Sequence, residues 1–326
     1  MRPDRASVLK SYVRTSETDH WESVANSGLD AAERRAVQST IPRGRGQLLV
    51  VGSGTGRDTL EFARLGHKVV GLDLARELVI KAAARSRGQQ LDAGFVVADA
   101  TQVPFRTGCF DCVLMLAQVI GHIPGQAGHR KALAEAARIT PVEGRILVSV
   151  YDGSFKEYPT LYLLWRLVRR IAPGNNRSSP GPSGPSLGHS SMRIQFERVP
   201  RFARTIWRGR ALRFRIALRT AHHRLHPTGP ESPRDLYVQP SGDRVGFRPE
   251  AGLAYFHLYR RREFLDDVAA SGLDVEWEAS ARELYSGHTL PAPLRHLDYL
   301  LYFSLRKNHG GISSPTRNNQ VDKKRG

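Results

Sequence analysis

The stretch at residues 47–73 constrains the fold more than any other part of the chain. It begins with an apolar run at 48–51, passes through three glycines, continues as an amphipathic segment to Gly66 and ends in a second apolar run before Asp73. A short apolar run bounded by glycine is typical of a strand that is buried on both faces of a parallel sheet. The glycines allow a tight strand-to-helix turn, and Gly66 is placed to end the helix. The stretch therefore predicts one β-α-β unit.

The spacing of the glycines indicates which nucleotide the turn binds. Gly52, Gly54 and Gly56 form the pattern G-x-G-x-G, whereas the dinucleotide pattern G-x-G-x-x-G would need glycine at the position of Arg57. A bulky side chain there opposes the close approach of helix and pyrophosphate, which argues against an NAD-dependent oxidoreductase. Asp73, at the end of the second apolar run, is placed to accept hydrogen bonds from ribose hydroxyls.

Further matches follow in order along the chain. Residues 95–100 predict a third strand that ends in Asp99, residues 110–115 a fourth strand and residues 145–151 a fifth. Together with the glycine triad and Asp73, this order resembles the class I S-adenosylmethionine (SAM) dependent methyltransferases. The resemblance implies an α/β fold with a seven-stranded, mostly parallel, doubly wound sheet, an N-terminal helical segment and a large inserted cap.

The resemblance also implies the residues that bind the cofactor, which is expected to be SAM. These residues lie at the carboxyl ends of the strands and are Gly52, Ser53, Gly54, Gly56, Asp73, Leu74, Asp99, Ala100 and Gln118. Asp73 is implied to bind the ribose, and Asp99 the edge of the adenine. Residues 118–122 are implied to pass the sulfonium that carries the methyl group.

Three residues are candidates for removing a proton from the methyl acceptor. His122 is the first, because the resemblance places it near the donor and because imidazole titrates near neutrality. An alternative for His122 is a role in orienting a loop or in packing. His257 and Tyr151 are further candidates at the edge of the predicted cap. The two cysteines, Cys109 and Cys112, lack further ligands at metal spacing, so we expect Cys112 to pack in the core. No set of metal ligands is readable in the sequence, and a transfer independent of metal is expected.

Composition divides the chain into five predicted parts. They are an N-terminal helical segment at 1–46, the SAM-binding core at 47–152, an inserted basic cap at 153–252, the C-terminal part of the core sheet at 253–306 and a disordered tail at 307–326. Within the cap, residues 173–191 are rich in Gly, Pro and Ser, which predicts a flexible loop because such a segment buries little apolar surface. Tyr12 and Trp21 either cover the donor pocket or pack the N-terminal helices onto the sheet, and we expect packing.

The charge of the chain leaves two classes of acceptor open. A formal net charge of +18 and an arginine-rich segment with interleaved aromatic residues at 193–224 suit a phosphate-rich partner such as RNA. Residues 255–259 are similar to a segment of the tRNA wobble-uridine carboxymethyl methyltransferases. Those enzymes carry paired histidines after the fourth strand, where this chain has Gly121 and His122. Most of the basic residues are arginine, which also indicates a bias of composition.

The expected reaction is methyl transfer to an oxygen or nitrogen of a small-molecule acceptor, which the arginines would hold by an acidic or phosphorylated group. The alternatives are a tRNA or other RNA methyltransferase, and a non-catalytic RNA-binding protein with a vestigial SAM pocket. No stretch approaches the ~18 apolar residues that span a bilayer, and the start of the chain lacks a signal-peptide core. A cytoplasmic protein is therefore expected, and the oligomeric state is left open.

Overall fold

The computed structural model describes residues 5–12, 22–23, 25–41, 46–151, 232, 234–238, 245–246, 254–289 and 300–308. The helices in these ranges are α1 (Arg5–Tyr12), α2 (Ala31–Thr40), α3 (Arg57–Arg64), α4 (Arg76–Gly88), a 3₁₀ helix (Val119–His122), α5 (Gly125–Ile139), α6 (Arg261–Ala270) and α7 (Ala281–Ser286). The strands are β1 (Gln47–Val51), β2 (Lys68–Asp73), β3 (Ala93–Val97), β4 (Cys112–Met115), β5 (Arg145–Tyr151), β6 (Asp235–Val238), β7 (Val245–Gly246), β8 (Ala254–His257), β9 (Leu273–Ser280) and β10 (Leu300–Lys307). Trp21, the predicted loop at 173–191, the arginine-rich segment at 193–224 and the tail beyond residue 308 lie outside the described residues.

Seven strands form one sheet in the order β3-β2-β1-β4-β5-β10-β9. The neighbouring pairs among β1 to β5 are parallel, and β10 is antiparallel to both β5 and β9. The predicted seven-stranded, mostly parallel α/β sheet is therefore confirmed. The chain order reverses between β1 and β4, and in open α/β sheets a ligand binds outside the carboxyl ends of the strands at such a point.

The predicted β-α-β unit is formed by β1, α3 and β2. Gly52, Gly54 and Gly56 have φ angles of 70°, 51° and 93°, in the left-handed region that favours glycine. Gly56 is the residue that caps the start of α3, and Asp58 lies in the first turn, where the helix dipole favours negative charge. Gly66, with a φ of 84°, follows the helix and lets the chain return to β2.

The core of the main sheet has two sides because successive residues of a strand point to opposite faces. Along β1, Leu49 and Val51 belong to one buried cluster, and Leu48 and Val50 to the other. Helices α5 and α6 cover the first face, while α2 and α3 cover the second. Cys112 is fully buried in the second cluster, as the packing prediction for it requires.

Arg57 has a structural reason to stand where the dinucleotide pattern has glycine. Its guanidinium donates hydrogen bonds to Glu33 at 2.7 Å and to Asp58 at 2.5 Å, so it joins α2 to the start of α3. Asp30 and Glu33 form a capping box at the start of α2. The turn after β1 is therefore held from outside the cavity by an ion-paired arginine.

A second, smaller antiparallel sheet has the order β7-β6-β8. Residues 254–257 lie in the range 253–306 that was predicted as the C-terminal part of the core sheet, and in the structure Ala254–His257 pairs with Asp235–Val238 in the smaller sheet. The smaller sheet thus joins residues from both sides of the predicted boundary at 252, while the division into domains stays a prediction. An apolar run indicates a buried strand but does not indicate which strand it pairs with.

Among the described residues, no helix has both the length and the apolar composition needed to cross a membrane.

Candidate active site

A cavity of about 450 Å³ lies at the carboxyl ends of β1, β2 and β3. Its walls come from the turn after β1, the segment after β2, residues 98–101 after β3, the segment at 117–124 after β4, and parts of α1 and α5. This is the edge of the sheet where the strand order reverses, as expected for a ligand site in an open α/β fold. The predicted donor residues that line it are Gly52, Gly54, Asp73, Leu74, Asp99 and Ala100.

The glycine turn presents bare backbone to the cavity. A Cβ atom at Gly54 would meet no heavy atom of the described residues within 4 Å, so that side of the turn is open space. A Cβ atom at Gly52 would lie only 2.2 Å from Cγ2 of Val119. Gly52 therefore allows close packing of the 3₁₀ helix on the turn, while Gly54 leaves room for a ligand.

Asp73 fixes the turn from the neighbouring strand. Its Oδ2 accepts a hydrogen bond from the Gly54 main-chain N–H at 2.8 Å, and its Oδ1 accepts one from the Ala75 N–H at 2.8 Å. Burial raises the pKa of Asp73 above its ordinary value, although these main-chain N–H groups oppose the shift. The carboxylate is thus held in one orientation in the wall of the cavity.

Asp99 is held by the turn that follows β3. Its Oδ1 accepts hydrogen bonds from the main-chain N–H and from the hydroxyl of Thr101, both at 2.8 Å. Asp99 and Gln102 also form an isolated bridge, which closes the turn. Both Asp99 and Thr101 line the cavity.

His122 lies at the end of the 3₁₀ helix and lines the cavity. The centroid of its ring is 5.5 Å from that of Tyr12 and 4.9 Å from that of Phe256, with both partners edge-on. Its Nδ1 is 2.9 Å from the main-chain oxygen of Tyr255. Burial lowers the pKa of His122 to about 4, despite the hydrogen bond to Tyr255, so the ring is neutral at neutral pH.

The other two predicted catalytic residues are not among the described residues that line the cavity. His257 is buried, with Nδ1 2.8 Å from Asp235 Oδ1 and Nε2 3.1 Å from Glu263 Oε1. Tyr151, the last residue of β5, packs with its ring centroid 5.5 Å from that of Phe256. Tyr151 therefore contacts Phe256, a neighbour of His122, whereas His257 contacts the carboxylates of Asp235 and Glu263.

Ser53, Gly56 and Gln118 are likewise not among the described residues that line the cavity, but two of them carry buried polar atoms beside it. Ser53 Oγ and Gln118 Nε2 are buried, and neither has a hydrogen-bond partner among the described residues. Gln118 and its neighbour Ala117 also have positive φ angles, of 68° and 50°, which residues other than glycine rarely adopt. The open side of Gly54 and the Asp73 carboxylate in the cavity wall, by contrast, suit SAM, whose ribose hydroxyls can donate hydrogen bonds to a carboxylate.

Residues of α1 and α5 also line the cavity, and the sequence interpretation did not assign them to the donor site. They are Val8, Leu9, Ala127, Gly128 and Lys131, together with Tyr12, for which we expected packing. Tyr12 packs edge-on against the His122 ring and lines the cavity. The only sequence signal for α1 is a short helical segment with apolar residues, which does not indicate where the helix lies.

Comparisons with known proteins agree with this geometry. A family model described as "Methyltransferase domain" matches residues 49–148. A demethylmenaquinone methyltransferase of Renibacterium salmoninarum is 30% identical over 184 residues, which cover 56% of this chain and 73% of that protein. A second demethylmenaquinone methyltransferase, from Beutenbergia cavernae, is 31% identical over 135 residues, which cover 41% of this chain and 53% of that protein.

Among solved structures, the CcbJ methyltransferase from Streptomyces caelestis has the same fold, with a TM-score of 0.55 and 10% sequence identity. The match covers 93% of this chain and 99% of that one. At this identity the likeness concerns the fold alone, whereas the Renibacterium relative shows common family membership through most of its own length. The chain therefore belongs to the class I SAM-dependent methyltransferases, and it is an enzyme that uses SAM as its methyl donor.

Proposed function

We propose that the enzyme transfers a methyl group to a small, largely apolar acceptor that binds between α1 and the 3₁₀ helix. The observation that carries this proposal is the apolar wall of the donor cavity, to which α1 contributes Val8, Leu9 and Tyr12, and the segment after β4 contributes Val119 and Ile123. Such a wall favours an apolar body over a charged one, because a charged group would lose its water there.

The chain's part in the transfer is mainly to bind and to orient. Bound SAM supplies a methyl group that its sulfonium already activates. The main chain at Gly52 and Gly54 would lie against the donor, Asp73 would accept hydrogen bonds from its ribose, and Asp99 would meet its adenine edge. Holding two reactants in line can lower a barrier by ~7–11 kcal/mol.

His122 is the residue that we propose as general base for an oxygen or nitrogen acceptor. The ring is neutral at neutral pH, so one of its nitrogens has a lone pair that can take a proton. Proton transfer of this kind typically contributes a factor of ~10² to 10⁴. For His257 and Tyr151 we propose no direct contact with the acceptor, because neither is among the described residues that line the cavity.

The names of two relatives support an apolar ring compound as acceptor, since both are demethylmenaquinone methyltransferases. An acidic or phosphorylated substituent on the acceptor stays a prediction, and Lys131 is a described cation of the cavity wall that favours it. The role of residues 153–252 in choosing the acceptor also stays a prediction.

The test is transfer of label from methyl-labelled SAM into an extract of the source organism, which is then divided into solvent-extractable, RNA and protein fractions. We expect label in the solvent-extractable fraction, unaffected by ribonuclease. A parallel reaction with purified demethylmenaquinone, in reduced and oxidised form, tests one candidate acceptor. Label that appears in RNA and is released by ribonuclease would overturn the proposal and favour an RNA methyltransferase.

A further inference from the structure

The protonation of His122 is set by the main chain of β8. A carbonyl oxygen only accepts hydrogen bonds, so the 2.9 Å contact with Tyr255 requires the neutral ring to donate from Nδ1. The lone pair is then on Nε2, which is the nitrogen available as a base. A shift of the Tyr255 carbonyl would remove this preference and let the proton move to Nε2.

The packing of β8 on the 3₁₀ helix is close. A Cβ atom at Gly121 would lie 3.0 Å from the main-chain oxygen of His257 and 3.2 Å from the ring of Phe256. Glycine at this position therefore allows the strand to approach the helix that carries His122. The Phe256 ring in turn packs against the His122 ring.

Tyr255 is held by its own hydroxyl group. The side chain is 1% exposed, and its hydroxyl donates a hydrogen bond to Asp235 Oδ1 at 2.8 Å. The same hydroxyl accepts a hydrogen bond from the main-chain N–H of Gly125 at 3.3 Å. Tyr255 thus ties β6 and β8 of the smaller sheet to the first residue of α5.

Asp235 is in turn held by a charged histidine. His257 donates from Nδ1 to Asp235 and from Nε2 to Glu263, and the main-chain N–H of Ser232 donates to the other oxygen of Asp235 at 3.0 Å. Burial alone would lower the pKa of His257, but the two carboxylates outweigh it and raise the pKa to about 9. His257 is therefore an imidazolium ion at neutral pH.

His257 and His129 form a histidine pair in which only His257 is protonated at neutral pH. The His129 ring centroid is 5.0 Å from that of His257, and burial together with the charge of His257 lowers the pKa of His129 to about 3. Tyr259 packs edge-on against His257, with its ring centroid at 4.8 Å. Asp267, which is ion-paired with Arg130, lies 3.9 Å from His129 Nδ1.

We propose that Asp235, Tyr255 and His257 are positioning residues for the methyl transfer. They hold the Tyr255 carbonyl against Nδ1 of His122 and so keep Nε2 of His122 unprotonated. This inference rests on the proposed function, because it takes His122 to be the base. Its structural half, the fixed tautomer of His122, is measurable without any substrate.

The first experiment is NMR of the full chain labelled with ¹⁵N-histidine, with His122 assigned from the spectrum of His122→Gln. In the wild type we expect His122 as the neutral Nδ1–H tautomer at pH 7.5, and His257 with both nitrogens protonated. In Asp235→Asn and in Tyr255→Phe we expect His122 to show a mixture of both tautomers. A wild-type His122 that is protonated on Nε2 would overturn the inference, and so would an unchanged His122 signal in both folded variants.

The second experiment separates positioning from general loss of stability. With any acceptor that the enzyme methylates, Asp235→Asn and Tyr255→Phe should lower kcat at least tenfold, while KM for the acceptor and Kd for SAM change by less than threefold. Ser280→Ala is the matched control, because Ser280 is a fully buried capping residue at the start of α7 and is not among the described residues that line the cavity. It should lower Tm without changing kcat or the His122 tautomer. An equal fall of kcat in Ser280→Ala would refute positioning.

The two experiments also distinguish failure of this inference from failure of the proposed function. If the tautomer changes in the variants but kcat does not, the positioning contact exists and His122 is not the base. If kcat falls in His122→Gln but the tautomer is unchanged in both positioning variants, the base assignment holds and the inference is wrong.

Discussion

Replacing Asp73 by asparagine tests the donor site at a side chain that two main-chain hydrogen bonds hold in place. The two carboxylate oxygens each accept one main-chain hydrogen bond at 2.8 Å, from Gly54 and from Ala75. An asparagine side chain has one oxygen and one NH₂ group, so one of these two N–H groups would face another donor. The substitution therefore removes a charge and also disturbs the turn that lies against the donor.

The expected loss follows from the kind of bond removed. A hydrogen bond to a charged group contributes about 1.5–3 kcal/mol. Since each 1.4 kcal/mol corresponds to a factor of ten, Asp73→Asn should weaken SAM binding roughly 10- to 150-fold. The substitution should raise Kd for SAM more than it changes KM for the acceptor. The described hydrogen bonds of Asp73 go to Gly54 and Ala75, and none of them goes to the acceptor wall at α1.

Isothermal titration calorimetry with SAM measures this loss directly. Asp274→Asn is a suitable control, since Asp274 is a partly buried acid on β9 and is not among the described residues that line the cavity. Its Kd for SAM should equal that of the wild type. Unchanged affinity in a folded Asp73→Asn variant would refute the ribose assignment and the use of this carboxylate in donor binding.

Three further results are expected. His122→Gln should lower kcat by a factor of ~10² to 10⁴ with Kd for SAM unchanged, and steady-state kinetics with equal kcat in both proteins would exclude a base at this position. Because the pKa of His257 is raised from 6.5 to about 9, its ion pairs should stabilise the fold fully below pH 6.5 and lose this contribution as the pH rises through 9. Denaturant unfolding from pH 6 to 10 should therefore show a steeper fall of the free energy of unfolding in the wild type than in His257→Gln, and parallel curves would contradict the charged state. Gly52→Ala should destabilise the fold more than Gly54→Ala, because both residues have positive φ but only the first would clash with Val119; equal losses in thermal unfolding would contradict this difference.

The central part of the fold is predictable from sequence because its signals are local. The apolar run of β1, the glycines that need positive φ, and Asp73 at the end of β2 all lie within one unit of 27 residues. The order of these signals along the chain then indicates the sheet. The cavity residues that follow from this order, Gly52, Gly54, Asp73 and Asp99, are where the prediction places them.

The acceptor side is less predictable because its contacts join distant parts of the chain. His122 and the main chain of Tyr255 are 133 residues apart, and nothing in the local sequence indicates that contact. Residues 254–257 fall within the part of the chain predicted as the C-terminal core sheet, but in the structure they pair with residues 235–238 in the smaller sheet. Within that pairing, Asp235 and His257 are hydrogen-bonded partners although they lie 22 residues apart in the chain.

His257 shows that a residue type can suggest a catalytic role that the folded structure does not support. A histidine near the predicted cap is a reasonable candidate base when its neighbours are unknown. In the structure both ring nitrogens donate hydrogen bonds to carboxylates, and the charged ring has no lone pair that could accept a proton. Of the two candidate histidines, His122 is the one that keeps a lone pair, because burial lowers its pKa to about 4 and leaves the ring neutral at neutral pH.

Methyl transfer from SAM to a small acceptor is tested most directly by following the labelled methyl group in three parallel reactions, with the wild type, Asp73→Asn and Asp274→Asn. We expect label in a small apolar product for the wild type and for Asp274→Asn, and a strongly reduced amount for Asp73→Asn at SAM concentrations near the wild-type Kd. Label that depends on Asp73 but is recovered in ribonuclease-sensitive material would contradict a small-molecule acceptor, because the donor site would then serve an RNA methyltransferase.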